Sequence, residues 1–311
     1  MGGSGGSFYF GSDFNPEDVS KKIREEEEKT KNESFEIEVS GLLKNILASA
    51  NSRDADLIQK HLRTVESAIH FDLDGLITLR YGGSISKHTF VDGLSDVDSL
   101  AIINNSELNN SSPEEVKDFF YQNLQRKLPN SKIEVGNLAI TIKFNSGTEV
   151  QIIPALKTQT GIKIPSSRQN NEWSKLIKPD AFAKLLRYSN SQLSGKLIPV
   201  IKLAKTLIAN FPETRRLSGY HVECLAIEVF KSYNGTHNPK EMIKHFFSEG
   251  SKNILNPIKD KTGQSVHVDD YLNEANSISR KMVADSMSSI SRKMNNADGS
   301  RDIRLWEQIL K

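Results

Sequence analysis

Two short groups of residues carry the chemistry that can be read from this chain: Gly82-Gly83-Ser84, and, a loop later, Asp96-x-Asp98. Glycines at 82 and 83 let backbone N–H groups approach a ligand closely, and Ser84 adds a hydroxyl. A turn of this kind at the start of a helix suits a phosphate. The segment SDVDSLAII then enters a strand, so Asp96 and Asp98 share a face about 7 Å apart. Two carboxylates so placed converge on hard cations, which prefer carboxylate and phosphate oxygens. A phosphate-holding turn beside paired metal carboxylates is the equipment of phosphoryl transfer assisted by two metals.

The elements that must position these residues follow from periodicity. MGGSGGS reads as a flexible linker or expression scar, and residues 1–12 are set apart from the fold. The run REEEEKTKNE (24–33) reads as a solvated helix face or a mobile connector. Two helices are expected next. FEIEVSGLLKNILASAN places Ile37, Leu42, Leu43, Ile46 and Leu47 on one side, and RDADLIQKHLRTVESAIHFD does the same with Leu57, Ile58, Leu62, Val65 and Ile69. Asp54 and Asp56 suit the start of the second. LITLRY, DSLAIIN, KIEVGNLAITIKF and TEVQIIPAL are strand-like. From about residue 170 the pattern is helical again, through DAFAKLLRYSN, GKLIPVIKLAKTLIANF, GYHVECLAIEVFKSY and PKEMIKHFFSEG. The expectation is an α+β chain: a strand-rich lobe with N-terminal helices over 13–165, an α-helical lobe over 166–311, and a site in the cleft between them.

Bulk properties set limits. At 311 residues the chain can bury a sizeable core. Its net charge of +2 makes any basic surface a local matter. A single cysteine, Cys224, excludes an intramolecular disulfide and a thiolate cluster and fits a reducing compartment. No apolar run approaches the roughly 18–20 residues of a membrane span, and the N-terminus lacks the form of a signal peptide, so a cytoplasmic location is expected, without membrane partners.

Gly82-Gly83-Ser84 with Asp96-x-Asp98 resembles the polymerase-β-type nucleotidyltransferase superfamily. The nearest likeness is the branch holding oligoadenylate synthetases, cyclic GMP–AMP synthase and bacterial anti-phage second-messenger synthases. GKLIPVIKLAKTL is similar to that branch's helix bearing a triphosphate-contacting lysine, which falls on Lys205. LSGYHVECLAIEVF is similar to its Ser-Tyr-His-x-Glu helix, and SVHVDDYLNEAN to the segment closing the nucleotide pocket. The resemblance spans roughly residues 55–290. It implies a mixed sheet with a long N-terminal helix and a helical second lobe. It also implies a Mg²⁺-dependent (or Mn²⁺-dependent), template-independent transferase that makes a cyclic or short linear nucleotide messenger from nucleoside triphosphates, sensed by a separate effector protein. Two alternatives stay open: a linear or protein-primed oligonucleotide synthase, including one using dNTPs with nucleic acid as product or acceptor, and a weakened nucleotide-binding sensor.

The chain departs from the family pattern at two places. The third carboxylate, three residues before a proline, falls on Gln151, counted back from Pro154; glutamine adds no charge and cannot act as a base. Glu149 faces the same way on an extended strand, about 7 Å along, so either Glu149 supplies the third acid or Gln151 fills its seat. Gly219 occupies the serine position of the Ser-Tyr motif, with Ser218 one residue early. A phosphate contact then shifts to Ser218 or the Gly219 N–H, while Tyr220 is either a base-stacking platform or a half-buried helix aromatic.

The remaining residues read as structural. Lys202 is expected as a solvated neighbour of Lys205, His88 as an exposed loop histidine, and Asp92 as part of a turn with Gly93. His221 and Glu223 are expected to be structural hydrogen-bonding groups, and Trp173 and Trp306 core residues. Asp269, Asp270 and Asn276 shape the base pocket or cap the following helix, with Asn276 the capping candidate. Arg280, Lys281, Arg292 and Lys293 read as a solvated helix face or, alternatively, a modest nucleic-acid surface.

Overall fold

The computed structural model describes residues 16–52, 55–70, 77–81, 84, 87–91, 97–104, 107–166, 171–261 and 267–311; of 16–19, 55, 70, 80, 81, 97, 98 and 107 it describes the backbone alone. Gly82, Gly83, Asp54, Asp92, Gly93 and Asp96 lie outside the described residues.

The charged run is helical. It is the first half of a continuous helix α1, Pro16–Ala50, with residues 20–34 all exposed, so a solvated helix face is the correct reading of its acidic stretch. Its apolar stripe is Phe35, Val39 and Leu43, with Leu42, Ile46 and Leu47 packed alongside. Ile37, expected on that stripe, is 71% exposed: helical spacing from the buried Phe35, Val39 and Leu43 puts it on the opposite side. α2, Ala55–His70, buries Leu62, Val65 and Ile69, as its periodicity predicts.

A mixed sheet follows, in the order β1-β2-β5-β4-β3: β1 Ile77–Tyr81, β2 Val97–Ile103, β3 Lys132–Val135, β4 Ile140–Lys143 and β5 Glu149–Lys157, with β6, Ile162–Lys163, on the end of β5. β2 and β5 run parallel, and the other neighbours are antiparallel. Pro154, which has no N–H to give a ladder, lies past the last residue that β4 pairs, Ile152. Between β2 and β3 lies a helix that the sequence analysis leaves unmarked: α3, Pro113–Lys127. Its signal is legible, because Ser112 and Glu115 form a capping box with proline in the first turn. α2 and α3 cover one face of the sheet, burying Ala101, Ile103, Ile140, Ile142, Val150 and Ile152 against Val65, Ile69 and Phe120.

The helical lobe comprises α4 Pro179–Gln192, α5 Leu197–Ala209, α6 Gly219–Val229, α7 Pro239–Asn253, α8 Ile278–Ser300 and α9 Ile303–Leu310. Its core takes in Phe35, Val39 and Leu43 of α1. The expected division at residue 165 groups α1 with the strands; its packing groups it with the helices instead. Lys240 of α7 reinforces this, meeting Asp298 at 3.1 Å and Glu36 of α1 at 2.5 Å. Trp306 is fully buried, with its indole N–H on Asp298, and Trp173 packs against the sheet core with its N–H on Ser111 O, so both serve the core. Among the described residues no helix is long and apolar enough to cross a membrane.

Candidate active site

Strand register fixes where Asp98 stands in the sheet. Tyr81, the last residue of β1, pairs with Ser99 of β2, so Asp98 directly precedes the paired position where β1 gives way to Gly82-Gly83-Ser84. Parallel pairing sets Asp98 beside Gln151, and Gln151 also pairs with Thr141 of β4. Glu149 stands two residues off, paired with Lys143, whose Nζ is 3.1 Å from Glu149 Oε1. Both side chains of that ion pair are more than a third exposed. Asp98, Gln151 and Glu149 supply oxygen donors of the kind magnesium takes, and the donor set fits such a cation with Asp96 added from the sequence. Among the described residues no three His, Cys, Asp or Glu gather into a metal cluster.

Ser84 is buried, and its Oγ has no partner among the described residues. Its carbonyl accepts from Thr89 N at 2.9 Å and Thr89 Oγ1 at 3.4 Å, which closes the segment on itself. Within it, His88 is exposed with φ 58°, as an exposed loop histidine.

α5 and α6 present Lys205 and Glu223 to this segment. Lys205 Nζ donates to Glu223 Oε1 at 2.8 Å and to Thr89 O at 3.0 Å, and its side chain is only 7% exposed. Thr89 Oγ1 donates to the same carboxylate at 2.5 Å, and Lys87 Nζ donates to its other oxygen. Burial alone raises the Glu223 carboxyl, but the charges and hydrogen bonds of Lys205 and Lys87 outweigh burial and hold it below the ordinary glutamate value. Lys87, which the sequence analysis passes over, also lies 5.0 Å from the Phe182 ring centre and 5.4 Å from that of Tyr220.

Gly219 has a steric reason. A Cβ there would stand 3.3 Å from Lys205 Nζ and 3.4 Å from its Cε, so the residue in the family's serine position gives Lys205 its room. Ser218 caps α6, its Oγ accepting from His221 N at 3.2 Å. Tyr220 is half-buried, donates to Asp260 at 2.7 Å and meets Phe182 edge-on at 5.0 Å. Lys202 is not a free solvated side chain: it donates to Asn51 at the end of α1, and partial burial together with Lys205 lowers its ammonium below the ordinary value.

A second buried cluster corrects the reading of Arg280, while Lys281, Arg292 and Lys293 are exposed on α8. Arg280 is fully buried, neither a solvated face nor a nucleic-acid contact. Its guanidinium reaches Asp269 Oδ2 at 2.6 Å and the carbonyls of Ile254, Asn256, Asp269, Asn273 and Glu274. Asp269 also accepts from Ile258 N. The cap of α8 is Ser277, one residue after the expected Asn276, which instead has φ 59°. Asp270 lies 3.3 Å from His267. His221 donates to or accepts from Tyr271 OH at 2.7 Å; burial pushes its imidazole down to about 4, with Asp269 opposing and Arg280 assisting. Burial pushes the Cys224 thiol up to about 12, so it is an inert core residue.

No sequence-family pattern matches the chain, and neither does the sequence of any curated protein. Its fold does match solved structures. The CD-NTase CdnG of Bradyrhizobium diazoefficiens, solved with GTP, aligns with a TM-score of 0.67 at 14% identity, covering 88% of this chain and 94% of that one. The cyclic AMP-GMP synthase DncV of Vibrio cholerae, solved with the linear intermediate pppA(3′,5′)pG, aligns at 0.60 and 10% identity, covering 96% and 89%. CdnC of E. coli MS115-1, solved with ATP, aligns at 0.59 and 15% identity, covering 82% and 90%, and is also solved as a complex with HORMA-deltaN. The fold is that of the bacterial nucleotidyltransferases resembling cyclic GMP–AMP synthase and oligoadenylate synthetase.

Proposed function

We propose that the chain is a metal-dependent, template-independent nucleotidyltransferase that makes a nucleotide second messenger for anti-phage defence. One observation supports the reading: Tyr81 pairs with Ser99 and Asp98 with Gln151, so Asp98 and Gln151 stand side by side next to the residue at which β1 ends, in a fold shared with proteins solved with GTP and ATP.

In this reading Gly82, Gly83 and Ser84 hold the triphosphate of the donor nucleotide, with Lys205 supporting them from the helical lobe and Ser218 at the rim. Ser84 Oγ, buried and without a partner among the described residues, is the group with a hydrogen bond to give. Asp96 and Asp98 would hold Mg²⁺ or Mn²⁺, which offsets phosphate charge and aligns the α-phosphate with an incoming hydroxyl. Gln151 contributes a neutral oxygen beside Asp98. Glu149 supplies the third carboxylate from one strand step away and takes the proton of the attacking hydroxyl, with Lys143 as its counterion before substrate arrives. Tyr220 offers its ring to the donor base. The O–P bond to the acceptor forms as the bond to pyrophosphate breaks. A separate effector protein senses the product.

Glu149→Gln should lower kcat about 10²-fold, the usual worth of a positioned base. Adding Gln151→Glu should restore part of it, by placing a carboxylate beside Asp98; wild-type turnover in Glu149→Gln would remove Glu149 from the mechanism. The product is read by incubating the protein with each radiolabelled NTP and dNTP, then comparing chromatograms before and after phosphatase. A resistant product is cyclic. A digestible one supports the linear synthase, and label retained on protein supports priming. Nucleotide-dependent thermal stabilisation without pyrophosphate release supports the sensor.

A further inference from the structure

We propose that Tyr271 is a nucleobase-contacting residue, a second aromatic ring beside Tyr220 for the base of the nucleotide whose triphosphate Ser84 and Lys205 hold; this rests on the nucleotidyltransferase reading and deepens it. A tyrosine ordinarily sinks its ring into apolar surroundings and leaves its hydroxyl in water. Tyr271 is turned the other way. Its hydroxyl accepts from Ser218 N at 3.4 Å and lies 2.7 Å from Nδ1 of His221, which is itself fully buried. Burial pushes the phenol up to about 12, so it keeps its proton, and the neutral imidazole of His221 can accept it. Yet the residue as a whole is 51% exposed, among the few large apolar side chains of the described residues left open to solvent. With the hydroxyl held, that open surface belongs to the ring.

A ring held at its tip is a preorganised flat surface, with little freedom left to lose when a ligand arrives. The short helical turn that carries it, Asp270–Leu272, is itself held: Leu272 is buried, and Asp269 before it is bound by Arg280. The position of the ring names the ligand. Ser218 caps α6, and at the next residue, Gly219, a Cβ would stand 3.3 Å from Lys205 Nζ. Lys205 reaches Thr89 O at 3.0 Å, and Thr89 N reaches Ser84 O at 2.9 Å. Tyr271 is therefore one hydrogen bond from the start of α6, which adjoins the groups assigned to the triphosphate. A flat π system joined to a phosphate chain is a nucleotide base, and every base has a face to stack on an aromatic ring. Tyr220 is the more enclosed of the two, its hydroxyl on Asp260 and its ring edge-on to Phe182.

The probe is the α,β-methylene analogue of each NTP, which binds without turning over, titrated with Mg²⁺ into the full chain by calorimetry. Inorganic tripolyphosphate is the matching ligand without a base. Tyr271→Ala should weaken the analogues about tenfold, the usual worth of a stacked base, and leave tripolyphosphate within twofold of wild type. Tyr271→Phe keeps the ring without its anchor and should recover part of the loss; Tyr271→Leu, apolar but not flat, should not. Analogue affinity within twofold of wild type in Tyr271→Ala would overturn the inference, as would a wild-type protein that binds no analogue. An equal loss for tripolyphosphate would overturn it too, leaving Tyr271 a structural support of the Ser218 turn. The two readings fail separately. NTP turnover whose KM is unchanged in Tyr271→Ala refutes this inference alone; ring-dependent analogue binding without any pyrophosphate release from NTPs refutes the enzyme and keeps the contact.

Discussion

Two buried carboxylates in the helical lobe make an instructive pair. Asp269 faces one cation, Arg280, and the guanidinium spends its remaining donors on backbone carbonyls between residues 254 and 274, so the cluster is charge-balanced and pins a loop to the start of its own helix. Glu223 faces two lysines and a threonine. Two of these partners come from residues 87 and 89, more than 130 positions away, so the cluster ties the segment before β2 to α6. Burial is the same in both; what differs is whether the partners are local. A balanced, local cluster stabilises. A cluster with distant partners ties two parts of the chain together.

The comparison can be broken most forcefully at Arg280. Arg280→Met leaves Asp269 buried without its cation, and should cost about 3–5 kcal/mol of stability in a denaturant titration. Tripolyphosphate affinity should be kept wherever the variant is folded. A loss below about 1 kcal/mol would mean that the cluster is no structural pin.

Acid should separate the two clusters. The folded His221 imidazole stays neutral down to about 4, while in the unfolded chain it titrates near its ordinary value of 6.5. The unfolded chain therefore binds the extra proton between those values. Stability from this group is complete above about pH 6.5 and falls by about 3 kcal/mol as pH drops to 4. Glu223 has its carboxyl depressed, so its contribution holds down to the ordinary glutamate value of 4.5 and fades only below it. Denaturation midpoints at pH 7, 5.5 and 4.5 for wild type and His221→Asn check this: the variant should show a flatter profile, and parallel profiles would contradict the assignment.

The smallest effect belongs to Gly219→Ala. The added methyl group meets only the far end of Lys205, which can yield by a few tenths of an ångström. Stability should change by less than about 1 kcal/mol, while the nucleotide KM rises a few-fold. An unchanged KM would show that the clearance beside Lys205 is not needed for binding.

What was legible in the sequence followed local rules. The strands could be anticipated from the apolar, β-branched runs DSLAIIN and TEVQIIPAL, and the resemblance put the third-carboxylate position on Gln151 by counting from Pro154; parallel pairing sets Gln151 beside Asp98. α3 carries a capping box that the sequence analysis passed over. What stayed hidden was long-range. Nothing near residue 280 says that its guanidinium turns inward, because the five carbonyls that hold it become neighbours only after the loop folds back. Lys87 likewise gains meaning only from Glu223, 136 positions on. Ile37 was misplaced because a charged, fully helical α1 meets its partners along a stripe that local spacing left ambiguous.

The most direct test of the central claim is pyrophosphate release from a mixture of the four NTPs with Mg²⁺ or Mn²⁺, comparing wild type with the folded Asp96→Asn/Asp98→Asn double variant. The account predicts steady release from the wild type and none above background from the variant. Release at the wild-type rate from the double variant would contradict it.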